Sequence, residues 1–420
     1  MVNVTLMQEN GTQFDHDVLI IGGGLVGASL ACALGGSDLR VAVVEAVPLG
    51  SSAQPSYDDR TIALAYGSRR IFEAMGVWDD IEANGAYPIR RIHISDRGHF
   101  GIARLAAADA GVEALGYVAA NRAVGSALLQ ALDALPRVTL LCPAEVVSVE
   151  PGPEAAVCTI RRDQTTQRLR TRLVVVADGG RSGIADALGL PARRIDYQQS
   201  AIVTNVTPGR DHEATAYERF TETGPLAILP MDPSRCAVVW SARPQEADTI
   251  LGWSDAEFLS RLQARFGQRL GRFKRVGKRQ SYPLFLTQRR EHIRPRVALI
   301  GNAAHAVHPV AGQGFNLGLR DVATLAQVLS DAVAAGDDPG TMPVLREYAR
   351  WRRGDNLLVT AFTDGLVRVF SNAFPPLMFA RNLGLLGVDI LPSLKRAFTR
   401  RTSGLHGRLP RLARGLPLAP

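Results

Sequence analysis

Three glycine-bearing motifs, far apart but fixed in order, constrain this chain more than any other feature. The first is Gly22-Gly23-Gly24-Leu25-Val26-Gly27 and the second Ala177-Asp178-Gly179-Gly180-Arg181-Ser182. The third runs from Gly301-Asn302-Ala303-Ala304-His305 through Pro309 to Gly312-Gln313-Gly314-Phe315-Asn316. Each alone is a weak signal. Together they describe one dinucleotide held at three points by a domain assembled from distant segments.

The first motif has a direct physical reading. Asp17-Val18-Leu19-Ile20-Ile21 is a short apolar run of the kind that forms a buried parallel strand. It leads into Gly22, Gly24 and Gly27, which fit G-x-G-x-x-G, and then into helix-forming residues. The first glycine permits the turn, the second lets a pyrophosphate approach the backbone, and the third lets helix and strand pack closely. The N–H groups at the helix start favour phosphate. A second apolar strand, Arg40–Val44, ends in Glu45, 18 residues beyond Gly27. That is near the spacing expected of an acid that holds the adenosine ribose. An acid here argues against a 2′-phosphate and leaves FAD or NAD(H). Three contact points on one dinucleotide favour FAD. There is no second G-x-G-x-x-G and no C-x-x-C pair. This suits a transiently docked NAD(P)H and disfavours a two-nucleotide disulfide reductase.

With 420 residues the chain is long enough for two domains, or one with a large insertion. Its four cysteines, Cys32, Cys142, Cys158 and Cys236, form no metal-ligand cluster and read as reduced thiols of a cytosolic protein. No metal is expected. Residues 1–14 lack the pattern of a signal peptide, and no run of 18 apolar residues suggests a spanning helix. Charge is uneven: between Asn356 and Pro420 nine Arg and Lys face only Asp364 and Asp389, in a chain of formal net charge +8. The same stretch holds Phe370, Phe374, Phe379, Leu383, Leu391 and Leu394. Apolar and basic residues mixed over 370–414 suit the surface of an anionic membrane, here the inner face. They suit equally a C-terminal helix docked on the protein, with a solvated basic tail. No nucleic-acid-binding module is recognisable.

The pattern predicts an α/β protein. A Rossmann-like dinucleotide domain over 14–195 and 290–350 carries an inserted β-rich substrate domain over 196–289. A helical, apolar and basic tail follows over 351–420. Within the insertion the spaced β-like runs leave room for one helix near 254–268.

The combination of motifs resembles the aromatic-ring hydroxylases, FAD monooxygenases with G-x-G-x-x-G, D-G-x-x-S and G-D-A-A-H-x-x-x-P motifs. The likeness covers roughly residues 15–355. It is strongest to the ubiquinone-biosynthesis hydroxylases, and among them to the 2-polyprenyl-6-methoxyphenol hydroxylase branch. It rests on Asp59-Arg60-Thr61-Ile62-Ala63-Leu64, Tyr217-Glu218-Arg219-Phe220, Gly224–Pro230 and His308–Gly318. One departure is Asn302, where most of the family has Asp; an amide keeps an acceptor and adds donors.

The resemblance implies a residue-by-residue assignment. Gly22, Gly23, Gly24 and Gly27 would form the pyrophosphate loop and Glu45 would hold the ribose. Arg60 and Arg122 match basic positions near the phosphates and ribityl chain. Asp178, beside Gly179, would serve both FAD and the nicotinamide donor, although an aspartate after a strand is also an ordinary turn residue. Asn302 would face the ribityl chain. Gly312, Gln313, Gly314, Phe315 and Asn316 open a helix whose N–H groups would favour negative charge on reduced flavin. Pro309 matches the proline beside the flavin C4a edge. His305 and His308 are candidate bases, but neither is assigned, because lone histidines are more often structural. The implied chemistry is hydroxylation of a polyprenyl phenol by O2 through a flavin C4a-hydroperoxide. Two alternatives stand beside it: a flavin hydroxylase of a soluble aromatic compound, and a non-catalytic flavoprotein of a biosynthetic complex.

Overall fold

The computed structural model describes residues 14–49, 51, 60–370, 372 and 374–418. Asp59, which opens one of the resemblance segments, lies outside them. The run before Gly22 forms the strand His16–Ile21, with Val18–Ile21 buried. It pairs in parallel with Val41–Val44 on one side and with Thr165–Val176 on the other. Val138–Leu141 and Val297–Leu299 extend this sheet outward, again in parallel. Strands buried on both faces need apolar side chains throughout, hence Val-Ala-Val-Val and Leu-Val-Val-Val. The helices Leu25–Leu34 and Gln313–Ala334 pack in the core beneath it. Each aliphatic side chain fully buried there contributes roughly 1.5–3 kcal/mol.

A second, nine-stranded sheet lies beside the first. It contains the long antiparallel strands Ala192–Thr207, Gly224–Asp232, Arg235–Ala242 and Gln280–Arg289. Two of its strands come from earlier in the chain. Arg91–Asp96 pairs in parallel with Thr215–Thr221, and Ile102–Ala106 pairs with Arg91–Asp96. The segment 196–289 is therefore only part of this sheet, which also takes strands from within 14–195 and the short strand His305–Ala306. The helix expected near 254–268 is Asp255–Phe266, and a second helix that was not expected, Pro244–Gly252, precedes it.

The C-terminal part is helical: Met342–Phe370, Pro375–Ile390, Pro392–Thr402 and a short turn at Leu412–Arg414. It is pinned to the second sheet by polar contacts, buried at Arg381 and Asn382 and exposed where Asp389 meets Arg104. Arg381 pairs with Asp96 at 2.8 Å, Asn382 accepts the Gly101 N–H at 2.7 Å, and Asp389 pairs with Arg104 at 2.6 Å. Farther on, the Trp351 indole donates to the Arg408 carbonyl and the Arg408 guanidinium covers its ring at 3.9 Å. Among the described residues no single helix is long and apolar enough to cross a membrane.

Candidate active site

The glycine loop is built for close approach. Gly22 has φ +101°, and a methyl group there would lie 2.8 Å from the Asp178 Cα. At Gly27 it would lie 1.9 Å from the Gly22 carbonyl oxygen. The helix Leu25–Leu34 begins at Gly24 with no side-chain cap for its first N–H groups, and Gly24, Leu25 and Val26 line the cavity. Glu45 fixes the loop: one carboxylate oxygen accepts from the Gly23 N–H at 2.7 Å, the other from the Val47 N–H at 2.8 Å. Gly22, Gly24 and Glu45 line the cavity. Gly23 and Gly27 shape it from behind.

At the second motif both Asp178 carboxylate oxygens turn into their own loop. They accept from the Gly180 N–H at 2.8 Å and the Ser182 N–H at 2.7 Å, and the Ser182 hydroxyl adds a short bond. Asp178 and Gly179 nevertheless border the cavity. In the third motif Gly301 takes φ +59° and its N–H donates to the Asp321 carboxylate at 3.0 Å. Asn302 is exposed to the cavity. Gly312, at φ +61°, starts the helix Gln313–Ala334. Asn316 is a clamp. Its carbonyl oxygen accepts from the Ala65 N–H and the Ser68 hydroxyl, and its amide donates to the Ala63 and Gly312 carbonyls, all within 2.6–2.8 Å.

A single cavity of about 810 Å³ joins all three motifs. Arg60, Pro309, Gly312, Gln313, Gly314, Phe315 and Asn316 also line it. Arg60 lies over the Tyr282 ring at 5.0 Å. Arg122 is exposed beside Asn121, and only the latter reaches the wall. The cavity runs on past Pro309 into an apolar end formed by Ile94, Leu105, Phe220, Phe370, Leu385 and Phe398.

Neither candidate histidine reaches this wall. His305 is buried with Nε2 2.8 Å from the Asp321 carboxylate. His308 is 1% exposed, its Nε2 3.0 Å from the Gln199 carbonyl oxygen, and its Nδ1 accepts from the Val310 N–H. Burial pushes the His308 pKa down to about 4. Both rings are packed as structural histidines, so the base role considered for them finds no geometric support.

Two residues were given no role in the sequence reading. Asp321 carries a buried network: it pairs with Arg352 at 2.7 Å, and Arg352 pairs in turn with Asp355, which also meets Arg320 at 3.3 Å and His406 at 3.4 Å. The other is Glu218, a carboxyl on the apolar wall. Its signal was a lone acid in the alternating pattern Ala216-x-Glu218-x-Phe220.

The residues present fit FAD. The loop tolerates no side chain at Gly22 or Gly27, the helix start lacks a side-chain cap of its own, and the acid Glu45 lines the cavity beside them. The protein-family description "FAD binding domain" matches residues 15–351. The chain is 41% identical over 405 residues to the ubiquinone hydroxylase UbiL of Rhodospirillum rubrum, covering 96% of this chain and 93% of that one. The chain belongs to the ubiquinone-biosynthesis FAD hydroxylases. It is also 31% identical to the 3-demethoxyubiquinol 3-hydroxylase of Escherichia coli, over 93% of this chain and 98% of that one. Among solved structures, p-nitrophenol 4-monooxygenase PnpA of Pseudomonas putida has the same fold, with TM-score 0.77 at 23% identity. That likeness covers 94% of this chain and 100% of PnpA. This hydroxylase is thus an FAD-dependent monooxygenase with the Rossmann-like α/β fold of the aromatic hydroxylases.

Proposed function

We propose that this enzyme hydroxylates the ring of a polyprenyl phenol, with or without a methoxy group, in ubiquinone biosynthesis. The net reaction is phenol + O2 + NAD(P)H + H⁺ → hydroxylated phenol + NAD(P)⁺ + H2O. One observation carries the reading. The cavity lined by the three FAD motifs is also lined by an apolar group of residues, Ile94, Leu105, Phe220, Phe370, Leu385 and Phe398, a setting suited to an aromatic ring and an apolar tail. The relatives named for ubiquinone synthesis support the substrate class.

In this reading the Gly22–Gly27 loop and the uncapped helix start hold the pyrophosphate, and Glu45 holds the adenosine ribose. Asp178, Arg60 and Asn302 border the ribityl chain, and Gly312–Asn316 presents backbone N–H groups to the flavin pyrimidine. Bound FAD supplies electron transfer from the nicotinamide and activation of O2. The protein's own work is to orient the ring beside Pro309 and to exclude water.

The tail supports delivery from a membrane. Phe374, Phe379, Leu383, Ile390, Leu391 and Leu394 are 46–63% exposed along Pro375–Ile390 and Pro392–Thr402, whereas Leu385 and Phe398 of the same helices line the cavity. Exposed apolar surface on this scale marks a contact site. We therefore place the enzyme peripherally on the membrane that holds its substrate. The test is lipid analysis of a strain lacking this gene. Loss of ubiquinone with accumulation of one under-hydroxylated prenyl phenol is expected, and an unchanged quinone pool would overturn the reading.

A further inference from the structure

Along the strand Thr215–Thr221 the residues Ala216, Glu218 and Phe220 share one face and line the cavity, which Tyr217 also touches. Across the sheet Glu218 faces Ile94 on one side and Ala227 on the other, and Ala227 pairs with Val239. All of these line the same cavity. A carboxyl is therefore set into an apolar wall, where packing alone would favour an aliphatic side chain. Among the described residues none donates a hydrogen bond to it or pairs with its charge.

The same wall reaches the third motif. Val310, next to Pro309, packs in one cluster with Ile94, Phe220 and Phe370, and the Phe220 and Phe370 rings stack at 3.7 Å. Ionisable groups on the surrounding elements are engaged elsewhere. Arg219 on the same strand reaches the Ser95 hydroxyl at 3.4 Å, and Asp96 on the neighbouring strand is held by Arg381 and Asn382. His93 lies against Arg269 and the Tyr217 ring, and Tyr217 packs on Phe266. On the helix Met342–Phe370, Asp364 is paired with Arg368 and accepts from Tyr197. Of the cations on the cavity wall, Arg60 covers Tyr282 and Arg181 stands at the second motif.

We propose that Glu218 is the proton acceptor for the phenol hydroxyl of the substrate. The assignment rests on the phenol-hydroxylase reading above. The phenol O–H bond breaks, the proton passes to Glu218, and the electron pair stays on the phenol oxygen. The ring carbons ortho and para to that oxygen become more nucleophilic. One of them forms a C–O bond with one atom of O2, while the other atom leaves as water with electrons from NAD(P)H. Loss of the proton from that ring carbon restores aromaticity, and Glu218 returns its proton to the phenolate oxygen. The carboxyl ends as it began, and the net reaction is unchanged.

Burial alone raises the Glu218 pKa to about 7, where a general base works best near neutral pH. A free phenol ionises near pH 10, so most substrate would otherwise present a neutral ring.

The experiment uses the full-length FAD-loaded enzyme, its Glu218→Gln and Glu218→Asp variants, and a methoxyphenol with a short isoprenyl tail. The wild-type kcat/KM should rise through pH about 7. In Glu218→Gln it should fall about a hundred-fold and rise only where the free phenol ionises. Glu218→Asp should recover part of the rate. FAD content should be equal in all three. A Glu218→Gln enzyme with the wild-type pH profile would overturn this assignment alone. A wild type that hydroxylates no prenyl phenol would overturn both this assignment and the function it rests on.

Discussion

A methyl group at Gly27 would stand 1.9 Å from the Gly22 carbonyl oxygen, a distance no rotamer change can relieve because both atoms belong to rigid backbone. Gly27→Ala should therefore push the first helix off the strand and yield protein with little FAD. The check is the flavin-to-protein absorbance ratio after purification; full occupancy would show that the loop has slack. Glu218 gives a prediction of opposite sign. Its folded pKa, about 7, lies above the ordinary carboxylate value of 4.5 because burial disfavours the charge. The resulting cost is absent below pH 4.5, grows between there and 7, and is complete above 7. If the carboxyl were sealed from water, that displacement would correspond to roughly 3 kcal/mol. Because it opens onto the cavity, the expected gain in Glu218→Gln at pH 8 is on the order of 1–2 kcal/mol. Denaturant titrations at pH 5 and pH 8 decide it: the variant should lead only at the higher pH. A stabilising change that lowers activity is what a functional carboxyl in an apolar wall should produce.

Among the elements, the helix Gln313–Ala334 holds the third motif in place through one side chain. Asp321, fully buried, accepts the Gly301 N–H, pairs with Arg352 and lies beside His305. The His305 ring and the Arg352 guanidinium beside it hold its carboxyl far below the usual carboxylate range despite burial. Its stabilisation is therefore present above the unfolded pKa near 4 and is lost as pH falls toward the depressed folded value. Asp321→Asn leaves the Arg352 guanidinium with Asp355 alone as its acid and should cost up to ~3 kcal/mol at neutral pH, the low end for a broken buried pair. The variant should also show a shallower loss of stability below pH 4 than wild type, and weaker FAD retention through the loosened Gly301 turn. Melting temperatures across that range test this; parallel curves would refute it. None of this network was legible in the sequence. Its members come from residues 305, 320–321, 352–355 and 406, and no local pattern marks a buried pair. The first βαβ unit was legible because strand, glycine loop, helix and Glu45 all lie within one short stretch. The place of the strands Arg91–Asp96 and Ile102–Ala106 in the second sheet was not legible, because pairing with Thr215–Thr221 joins segments more than a hundred residues apart. Arg122 fell on the wrong side of its helix for a similar reason: the spacing gave a helix but not which face meets the cavity.

For the whole molecule, the tail combines the two readings its composition allowed. It is docked, since Arg381, Asn382 and Asp389 bind the second sheet, yet its outer face keeps a row of large apolar side chains in contact with solvent. The basic residues divide in the same way. Arg408 is stacked on Trp351 and Arg411 donates to the Pro417 carbonyl, so both serve the fold. Arg396 and Arg400, on the helix Pro392–Thr402, are exposed near Leu391 and Leu394. A membrane contact should therefore depend on Phe379, Leu383, Leu391, Leu394, Arg396 and Arg400, not on the end of the chain. Replacing the four apolar residues by Ser should release the enzyme from anionic liposomes. Reversing Arg396 and Arg400 should weaken binding by about 1 kcal/mol each, and added salt should remove that part of the affinity. FAD content should not change, because the cofactor motifs are carried by other elements. Turnover of a short-tailed phenol in solution should persist in the Ser variant, while turnover of a long-tailed phenol embedded in liposomes should fall. The asymmetry follows from the cavity: Leu385 and Phe398 place its apolar end under the same two helices whose outer face is exposed. A substrate leaving the bilayer beneath them would move from one apolar surface to another without crossing water. Equal sedimentation of wild type and the Ser variant with anionic liposomes would refute the docking surface and leave these helices a purely structural cover.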